Sequence, residues 1–193
     1  VLGRCDAVLS GYLGSADIGH AVVQTVGRVR AANPDAVYCC DPVIGDVGRG
    51  VFVRPGIPEF MREVAVPAAD LVTPNHYEID YLAGTTTRTL GEVTDAVAAV
   101  QAMGPRVVLT TSLVTEDTPG DAVDLLASEG GRHFRVRTPR LDVSVNGAGD
   151  AIAALFLAHW LASRDAGTAL GAAAASVHGL LAATEQARSR EIL

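Results

Sequence analysis

The chain has 193 residues, 49% of them hydrophobic, which is enough to bury a sizeable core in one domain. Its formal net charge of −7 argues against binding to nucleic acid or to an anionic membrane surface, because either would need a concentrated basic patch. All fifteen basic residues are arginines, so mechanisms that depend on a P-loop lysine or a Schiff-base lysine are excluded.

Short apolar strands alternate with segments of helical periodicity along the chain. In order, the predicted elements are a strand at Ala7 to Ser10, a helix at Asp17 to Ala32, strands at Ala36 to Cys40 and Asp70 to Thr73, helices at Asn75 to Ala83 and Thr89 to Met103, a strand at Arg106 to Thr111, a hairpin of Ala122 to Ala127 and His133 to Arg137, and helices at Ala148 to Ser163 and about Ala166 to Ala187. This βαβ rhythm predicts an α/β fold with a doubly wound, mostly parallel central sheet flanked by helices. The longest apolar run, Ala151 to Leu161, is well short of the ~20 residues of a membrane-spanning helix, so we expect no membrane association.

The two ends of the chain and its cysteines bear on its completeness and location. Asp6 to Ser10 has the pattern of an interior strand, yet no strand precedes it, so we expect a single domain over residues 1–193 that lacks an N-terminal part. The last residues, Ala187 to Leu193, stop without a helix-ending glycine or proline. Cys5, Cys39 and Cys40 form neither a metal-binding spacing nor a disulfide framework, and no signal peptide is recognised, which favours the cytoplasm.

Polar, turn-rich segments follow the predicted strands. In a doubly wound sheet, ligands bind outside the carboxyl ends of the strands, so these segments are expected to converge on one crevice. The four segments are Asp41 to Asp46, Thr73 to Glu78, Thr110 to Ser112 and Asn146 to Asp150.

The segment Asn146 to Asp150 is the most informative of the four. Gly147 and Gly149 permit backbone conformations closed to other residues, and the helix start after them supplies unpaired N–H groups that bind anions. Asp150, in the first helical turn, could take a proton from an attacking alcohol as a phosphoryl group arrives. The alternative is a tight turn followed by a favourable first-turn charge. A dinucleotide fingerprint is excluded, because Ile152 stands where close helix packing needs a small residue.

Hard oxygen donors and amides mark two other segments. Asp41 and Asp46 flank a Pro-x-x-Gly turn and could hold Mg²⁺ beside phosphates, although both could also be ordinary loop aspartates. Asn75 and Glu78 lie one turn apart at a helix start, where the amide could bind a phosphate and the carboxylate a metal-bound water. Helix capping explains the same pair, and the two roles are compatible.

Hydroxyl groups and histidines complete the set of polar side chains. Thr110, Thr111 and Ser112 could bind nucleotide phosphates or simply close a loop. The five histidines show no metal-binding spacing, and we expect His76 and His133 to be exposed and without a catalytic role.

Taken together, the motifs resemble those of the pyridoxal kinases of the ribokinase-like superfamily. The resemblance extends from about Asp6 to about Leu181 and rests on five segments in order: Leu9 to Ser15, Cys40 to Asp46, Thr73 to Glu78, Val107 to Ser112 and Gly147 to Asp150. It implies a ribokinase-like fold and ATP-dependent phosphorylation of the 5′-hydroxymethyl group of pyridoxal and related B6 vitamers. Mg²⁺ as cofactor and a homodimer are implied as well.

The resemblance also implies roles for individual residues. Asp150 would be the catalytic base beside the substrate, with Gly147, Ala148 and Gly149 forming the anion hole for the γ-phosphoryl group. The other roles concern ATP, its metal ion and the vitamin: Asp41 and Glu78 at the metal and phosphates, Asp46 at Mg²⁺, Thr73 and Asn75 near the triphosphate, Thr111 and Ser112 on the nucleotide, Arg140 in a flexible stretch from Arg137 to Leu141 that covers ATP, and Tyr12 facing the vitamin ring.

Two alternatives stay open. The first is another ribokinase-like small-molecule kinase, such as a hydroxymethylpyrimidine kinase, which shares the Gly-x-Gly-Asp end; the segment Asp41 to Asp46 and Tyr12 favour pyridoxal. The second is a non-catalytic vitamer-binding relative, against which the intact Asp150 and anion turn argue.

Overall fold

A six-stranded sheet forms the centre of the molecule. The computed structural model describes residues 1–142, 145–189 and 191–192. In spatial order the strands are β1 (Ala7–Ser10), β2 (Val37–Cys40), β5 (Leu71–Val72), β6 (Val107–Leu113), β7 (Ala122–Glu129) and β8 (Arg132–Pro139). The first four run parallel, and β7 and β8 add an antiparallel hairpin at one edge. The predicted α/β class with a mostly parallel sheet is confirmed.

Helices cover both faces of this sheet. They are α1 (Ala16–Ala32), α2 (Ile57–Phe60), α3 (Val66–Ala68), α4 (His76–Ala83), α5 (Leu90–Gln101), α6 (Ala148–Ser163) and α7 (Ala166–Gln186), with a π-helical turn at Met61–Ala65 and a 3₁₀ turn at Leu2–Arg4. Because strand side chains alternate between faces, neighbouring residues of β2 enter different cores. Cys40 packs with α1, α2, α4 and α5, whereas Cys39 packs with α6 and α7.

The predicted element boundaries can be compared with the observed ones. β1 and α6 begin and end where the sequence predicts, and the ends of the other predicted elements differ by at most two residues. Four elements had no prediction: the 3₁₀ turn at Leu2–Arg4, the two-residue strands β3 (Gly45–Asp46) and β4 (Gly50–Val51), and the helical segment from Ile57 to Ala68. Pro58 and Pro67 interrupt the apolar periodicity of that segment, which hides its helical character.

Helix α7 is unusual in being rich in alanine and glycine. By length and composition alone it is the one helix in the described part of the chain that could cross a membrane. One side of it packs against the sheet through Ala169, Leu170, Ala173 and Val177, as its small residues predict.

An ion pair with a buried carboxylate stabilises the β7–β8 hairpin. Asp124 and Arg137 stand opposite each other, and the guanidinium donates two hydrogen bonds to the carboxylate, at 2.7 and 2.8 Å. The Asp124 side chain is 2% exposed, and the hydrogen bonds from Arg137 lower its pKa. Arg137 also reaches the backbone oxygen of Asp117, so the pair joins the hairpin to the turn after β6.

We expect Asp124→Asn to destabilise the fold by about 1–3 kcal/mol at pH 7, the range for a hydrogen bond to a charged group. Because the pKa of Asp124 is lower in the folded protein than the unfolded value of about 3.9, the ionised carboxylate stabilises the fold above about pH 3.9. This stabilisation is lost as the pH falls through the folded pKa. Urea denaturation at pH 7 and pH 3 should therefore show a smaller loss on acidification for the variant than for the wild type. Asp121→Asn, at an exposed position three residues away, is the matched control; an unchanged acid dependence in Asp124→Asn would contradict the prediction.

Candidate active site

A cavity of about 1110 Å³ opens at the carboxyl end of β6 and the start of α6. Six of the residues that the sequence selects lie in its wall: Asp46, Thr111, Ser112, Arg140, Ala148 and Gly149. They come from four separate segments of the chain. The predicted convergence at the strand ends is confirmed for five of them: Asp46, Thr111, Ser112, Ala148 and Gly149.

A second group of predicted residues lies buried after β2 and β5. The Thr73 hydroxyl donates a hydrogen bond to Asp41 Oδ1 at 3.0 Å, and both side chains are buried. No described residue donates to Asp41 Oδ2. Burial, together with the charges of Glu78 and Asp150, raises the pKa of Asp41 to about 8. The Asp41 carboxylate therefore sits where a cation would stabilise its charged form.

Glu78 holds the turn after β2 against the start of α4. Its Oε1 accepts hydrogen bonds from the backbone N–H groups of Ile44 and Gly45, at 2.9 and 3.4 Å, and its Oε2 accepts one from Asn75 N–H at 2.9 Å. Burial raises the pKa of Glu78 to about 7 in spite of these bonds. The capping interpretation is confirmed, since Asn75 and Glu78 form a complete capping box on α4.

Asn75 also contributes to that turn. Its Oδ1 accepts from Glu78 N–H at 2.9 Å and its Nδ2 donates to the Gly45 carbonyl at 2.8 Å. Both ends of the amide are thus engaged within the protein, and its contact with a phosphate stays a prediction.

The turn before α6 has the geometry of an anion site. Gly147 is the N-cap and has φ +93°, a conformation that glycine adopts without strain. The first helical turn, Ala148 to Asp150, presents N–H groups without intrahelical partners, and the cap supplies no side-chain acceptor for them. Such a terminus attracts negative charge.

Asp150 lies where α6 meets the loop after β1. Its Oδ1 is 3.3 Å from the position that a Cβ atom on Gly11 would occupy, so a larger residue there would displace the carboxylate by a few tenths of an ångström. The charge of Asp150 contributes to the raised pKa of Asp41. The site therefore combines an N–H cradle, an accessible carboxylate and a buried carboxylate pair.

Two predicted residues have surroundings that the sequence did not indicate. Tyr12 lies outside the cavity, in the loop after β1, with 61% of its surface exposed. Of the stretch Arg137 to Leu141, which was expected to be flexible, the first three residues belong to β8 and pair with β7. Arg140 follows the strand, and its N–H bonds to the Asp121 carbonyl at 2.8 Å. The residues 143 and 144, between this stretch and the anion turn, lie outside the described residues.

The predicted metal ligands do not form a ready-made metal centre. Within residues 1–142, 145–189 and 191–192, no group of three or more histidine, cysteine or acidic side chains is arranged to hold a metal ion. Asp46 lines the cavity and accepts a hydrogen bond from Val47 N–H, while Asp41 is buried and one of its oxygens lacks a donor among the described residues. Mg²⁺ commonly binds through one or two carboxylates together with water and substrate phosphates, and this donor set fits that mode.

Sequence reasoning missed a hydrogen-bonded group in the cavity wall. His76, expected to be exposed, is 7% exposed and bonds to Thr87 and to the backbone of Val114, so that expectation is wrong. His133 is exposed, as expected. The partners of His76 are 11 and 38 residues away along the chain, and no local pattern signals such contacts.

Comparison with known proteins gives consistent matches along the whole chain. Residues 3–191 match the family model described as phosphomethylpyrimidine kinase. The pyridoxal kinase PdxY of Granulibacter bethesdensis is 56% identical over 200 residues, which cover 100% of this chain and 69% of the relative. The pyridoxal kinase PdxY of Rubrobacter xylanophilus is 53% identical over 193 residues, covering 100% of this chain and 67% of the relative. This chain thus spans about two thirds of their length.

A solved structure of the pyridoxal kinase of Leishmania donovani, in complex with ADP and ginkgotoxin, superposes with a TM-score of 0.87. It is 30% identical in sequence, and the match covers 99% of this chain and 68% of that chain.

Proposed function

This chain belongs to the pyridoxal kinase family, within the wider family of the phosphomethylpyrimidine kinase model, and we propose that it acts as an ATP-dependent kinase of B6 vitamers. The reaction transfers the γ-phosphoryl group of ATP to the 5′-hydroxymethyl oxygen of pyridoxal, pyridoxine or pyridoxamine, giving the 5′-phosphate and ADP. The observation that carries this proposal is the first turn of α6. It contains both Asp150 and the free N–H groups of the helix terminus, and two of its residues, Ala148 and Gly149, line the large cavity.

Asp150 is the proposed catalytic base. It takes the proton of the vitamer hydroxyl as the oxygen attacks the γ-phosphorus, and the N–H groups of the turn from Gly147 to Gly149 stabilise the charge on the transferred group. Phosphoryl transfer needs little covalent participation by the protein, so the rate depends mainly on positioning and electrostatic stabilisation. The rigid start of a sixteen-residue helix suits that requirement.

The cavity wall is the proposed nucleotide site. Thr111, Ser112 and Arg140 contact the nucleotide, and Thr73 and Asn75 lie near the triphosphate. Asp41 and Asp46 are the proposed carboxylates for Mg²⁺, which neutralises phosphate charge when bound. Glu78, whose oxygens already accept three N–H groups, contributes its negative charge and holds the turn that carries both aspartates.

The remaining proposals concern the vitamer, assembly and location. Tyr12 is proposed to face the vitamin ring, since its loop also carries Gly11 beside Asp150. A homodimer is proposed from family membership. A cytoplasmic location is proposed, with support from Cys39 and Cys40, which are buried and form no disulfide in the structure.

The direct test is the release of ADP by the purified protein with Mg-ATP and pyridoxal, compared with hydroxymethylpyrimidine as acceptor. Turnover that depends on pyridoxal is expected. The competing result is turnover with the pyrimidine alone, which would change the assignment to a hydroxymethylpyrimidine kinase. The matching family model, described as phosphomethylpyrimidine kinase, is the reason to test this acceptor. No turnover with either acceptor, in a protein that still binds pyridoxal, would indicate a non-catalytic vitamer-binding relative.

A further inference from the structure

Ser112 has a backbone conformation that serine seldom adopts. Its φ is +53°, and among the described residues Arg164 and Arg188 are the other non-glycine residues with positive φ. Ser112 alone of the three lies in the wall of the cavity. A residue in this region persists only where its surroundings hold it, and such residues are concentrated at functional sites.

The β-sheet itself does not hold Ser112 in place. The pairing of β6 with β7 is regular up to Thr110 and resumes at Leu113, with a shift of register between them. Ser112 therefore lies in a bulge, a feature that redirects a side chain at the end of a strand.

One hydrogen bond on each side of Ser112 replaces the interrupted pairing of β6 with β7. Thr111 N–H donates to the Pro74 carbonyl at 3.0 Å, and Val114 N–H donates to His76 Nδ1 at 3.3 Å. Both acceptors belong to the three residues from Pro74 to His76 at the start of α4. The helix start thus brackets the strained residue from both sides.

The direction of these bonds assigns the tautomer of the His76 ring. Because a backbone amide can only donate, Nδ1 accepts and the ring proton resides on Nε2. Nε2 then donates to the Thr87 hydroxyl at 3.0 Å, and that hydroxyl donates to Asp80 Oδ1 at 2.8 Å. Asp80 also accepts the Thr87 N–H at 3.1 Å. The chain of bonds runs in one direction, from Val114 through His76 and Thr87 to Asp80.

The chain of bonds is buried at its centre and lies along the cavity wall. His76 is 7% exposed and Thr87 is 5% exposed. His76 and Asp80 are four residues apart on α4, so the helix presents them on the same side. All of these residues, Val114 and Ser112 included, line the same cavity.

We propose that His76 is a positioning residue for the nucleotide. Its ring anchors Val114 and so keeps Ser112 in the left-handed conformation that shapes the cavity wall. The proposal rests on the proposed function, in which this wall contacts ATP. His76 acts through Ser112 and has no part in proton transfer.

The first test is His76→Leu, which removes the acceptor for Val114 N–H at similar bulk. The KM for ATP is expected to rise about tenfold, the effect of leaving one hydrogen-bonding group without its partner. The KM for pyridoxal and kcat should change less than about threefold. His76→Gln, which keeps a donor and an acceptor, is expected to recover most of the ATP affinity. His133→Leu, at an exposed histidine of β8, is the matched control and should leave all three constants unchanged.

A double-mutant cycle with Ser112→Gly separates positioning from general damage. Glycine adopts positive φ without strain, so it does not need the hydrogen bonds of Thr111 and Val114 to hold that conformation. The penalty of His76→Leu on ATP affinity should therefore shrink from about tenfold to less than about threefold when Ser112→Gly is also present, because the two residues act as one unit. Thermal unfolding of each variant shows whether it is folded under the assay conditions.

Binding of a non-hydrolysable ATP analogue, measured by calorimetry with Mg²⁺, makes the outcome independent of turnover. A wild-type protein that binds the analogue without phosphorylating either acceptor would refute the proposed kinase function, while the His76→Leu effect on Kd would still support positioning. An unchanged Kd in His76→Leu, an equal penalty in the presence of Ser112→Gly, or no binding by the wild type would each overturn the inference.

Discussion

Replacing Asp150 by asparagine is expected to lower kcat for pyridoxal phosphorylation by at least about 100-fold, with the KM for ATP within about threefold of the wild type. Asparagine has nearly the same shape as aspartate but cannot accept the proton of the vitamer hydroxyl. The loss should therefore appear in the chemical step. Initial rates of ADP release at saturating Mg-ATP, with varied pyridoxal, give both constants.

Asp17→Asn is the matched control, because Asp17 is likewise an acid in the first turn of a helix, α1. If Asp150 were only a favourable helix-end charge, both variants would lose a little thermal stability and neither would lose kcat selectively. Equal, small effects in the two variants would remove the catalytic role of Asp150. A selective loss in Asp150→Asn with an unchanged melting temperature would support it.

Much of the fold follows from local patterns. The short apolar run of β2 and the long apolar helix α6 are each specified by neighbouring residues, so they lie where the sequence predicts. The rule that ligands bind at the carboxyl ends of parallel strands then brings Asp46, Thr111 and Ser112 to one cavity, although they come from different segments.

Contacts between distant segments account for the rest. A Cβ atom on Gly45 would lie 2.5 Å from the Gly50 carbonyl oxygen and 2.5 Å from a ring carbon of Tyr77, so this glycine permits close packing of β3 on β4 and α4. Two strands of two residues each carry no periodicity that could be recognised. The burial of His76 has the same origin, since its partners lie beyond any local window.

The charges around the cavity bear on the proposed need for a metal ion. Among the described residues, the cavity wall contains one arginine, Arg140, together with Asp46 and Asp80. The charges of Glu78 and Asp150 also act on Asp41, and that of Asp46 acts on Glu78. A triphosphate placed beside these carboxylates would meet repulsion that one arginine cannot offset. A divalent cation shared between Asp41 and the phosphates would remove that repulsion, which supports the proposal that Mg²⁺ binds there.

Replacing Glu78 by leucine is expected to have the largest effect on stability. The carboxylate is 3% exposed and accepts hydrogen bonds from the N–H groups of Asn75, Ile44 and Gly45. Leucine has similar volume but leaves three donors without an acceptor, at about 1–3 kcal/mol for each buried group. A total of about 3 kcal/mol or more corresponds to a fall in melting temperature of about 6–12 °C for a chain of this size.

Glu92→Leu provides a closely matched comparison. Glu92 completes the same capping box at the start of α5, where it accepts from Arg88 and Thr89 N–H groups, but it is exposed. Water replaces the lost acceptor there, so its shift in melting temperature should be less than a third of that for Glu78→Leu. Glu78→Gln, which retains one amide oxygen as acceptor, should lie between wild type and Glu78→Leu. If the two leucine variants melted alike, helix capping alone would explain Glu78, and its stabilising effect on the turn from Asp41 to Asp46 through Ile44 and Gly45 N–H would be refuted.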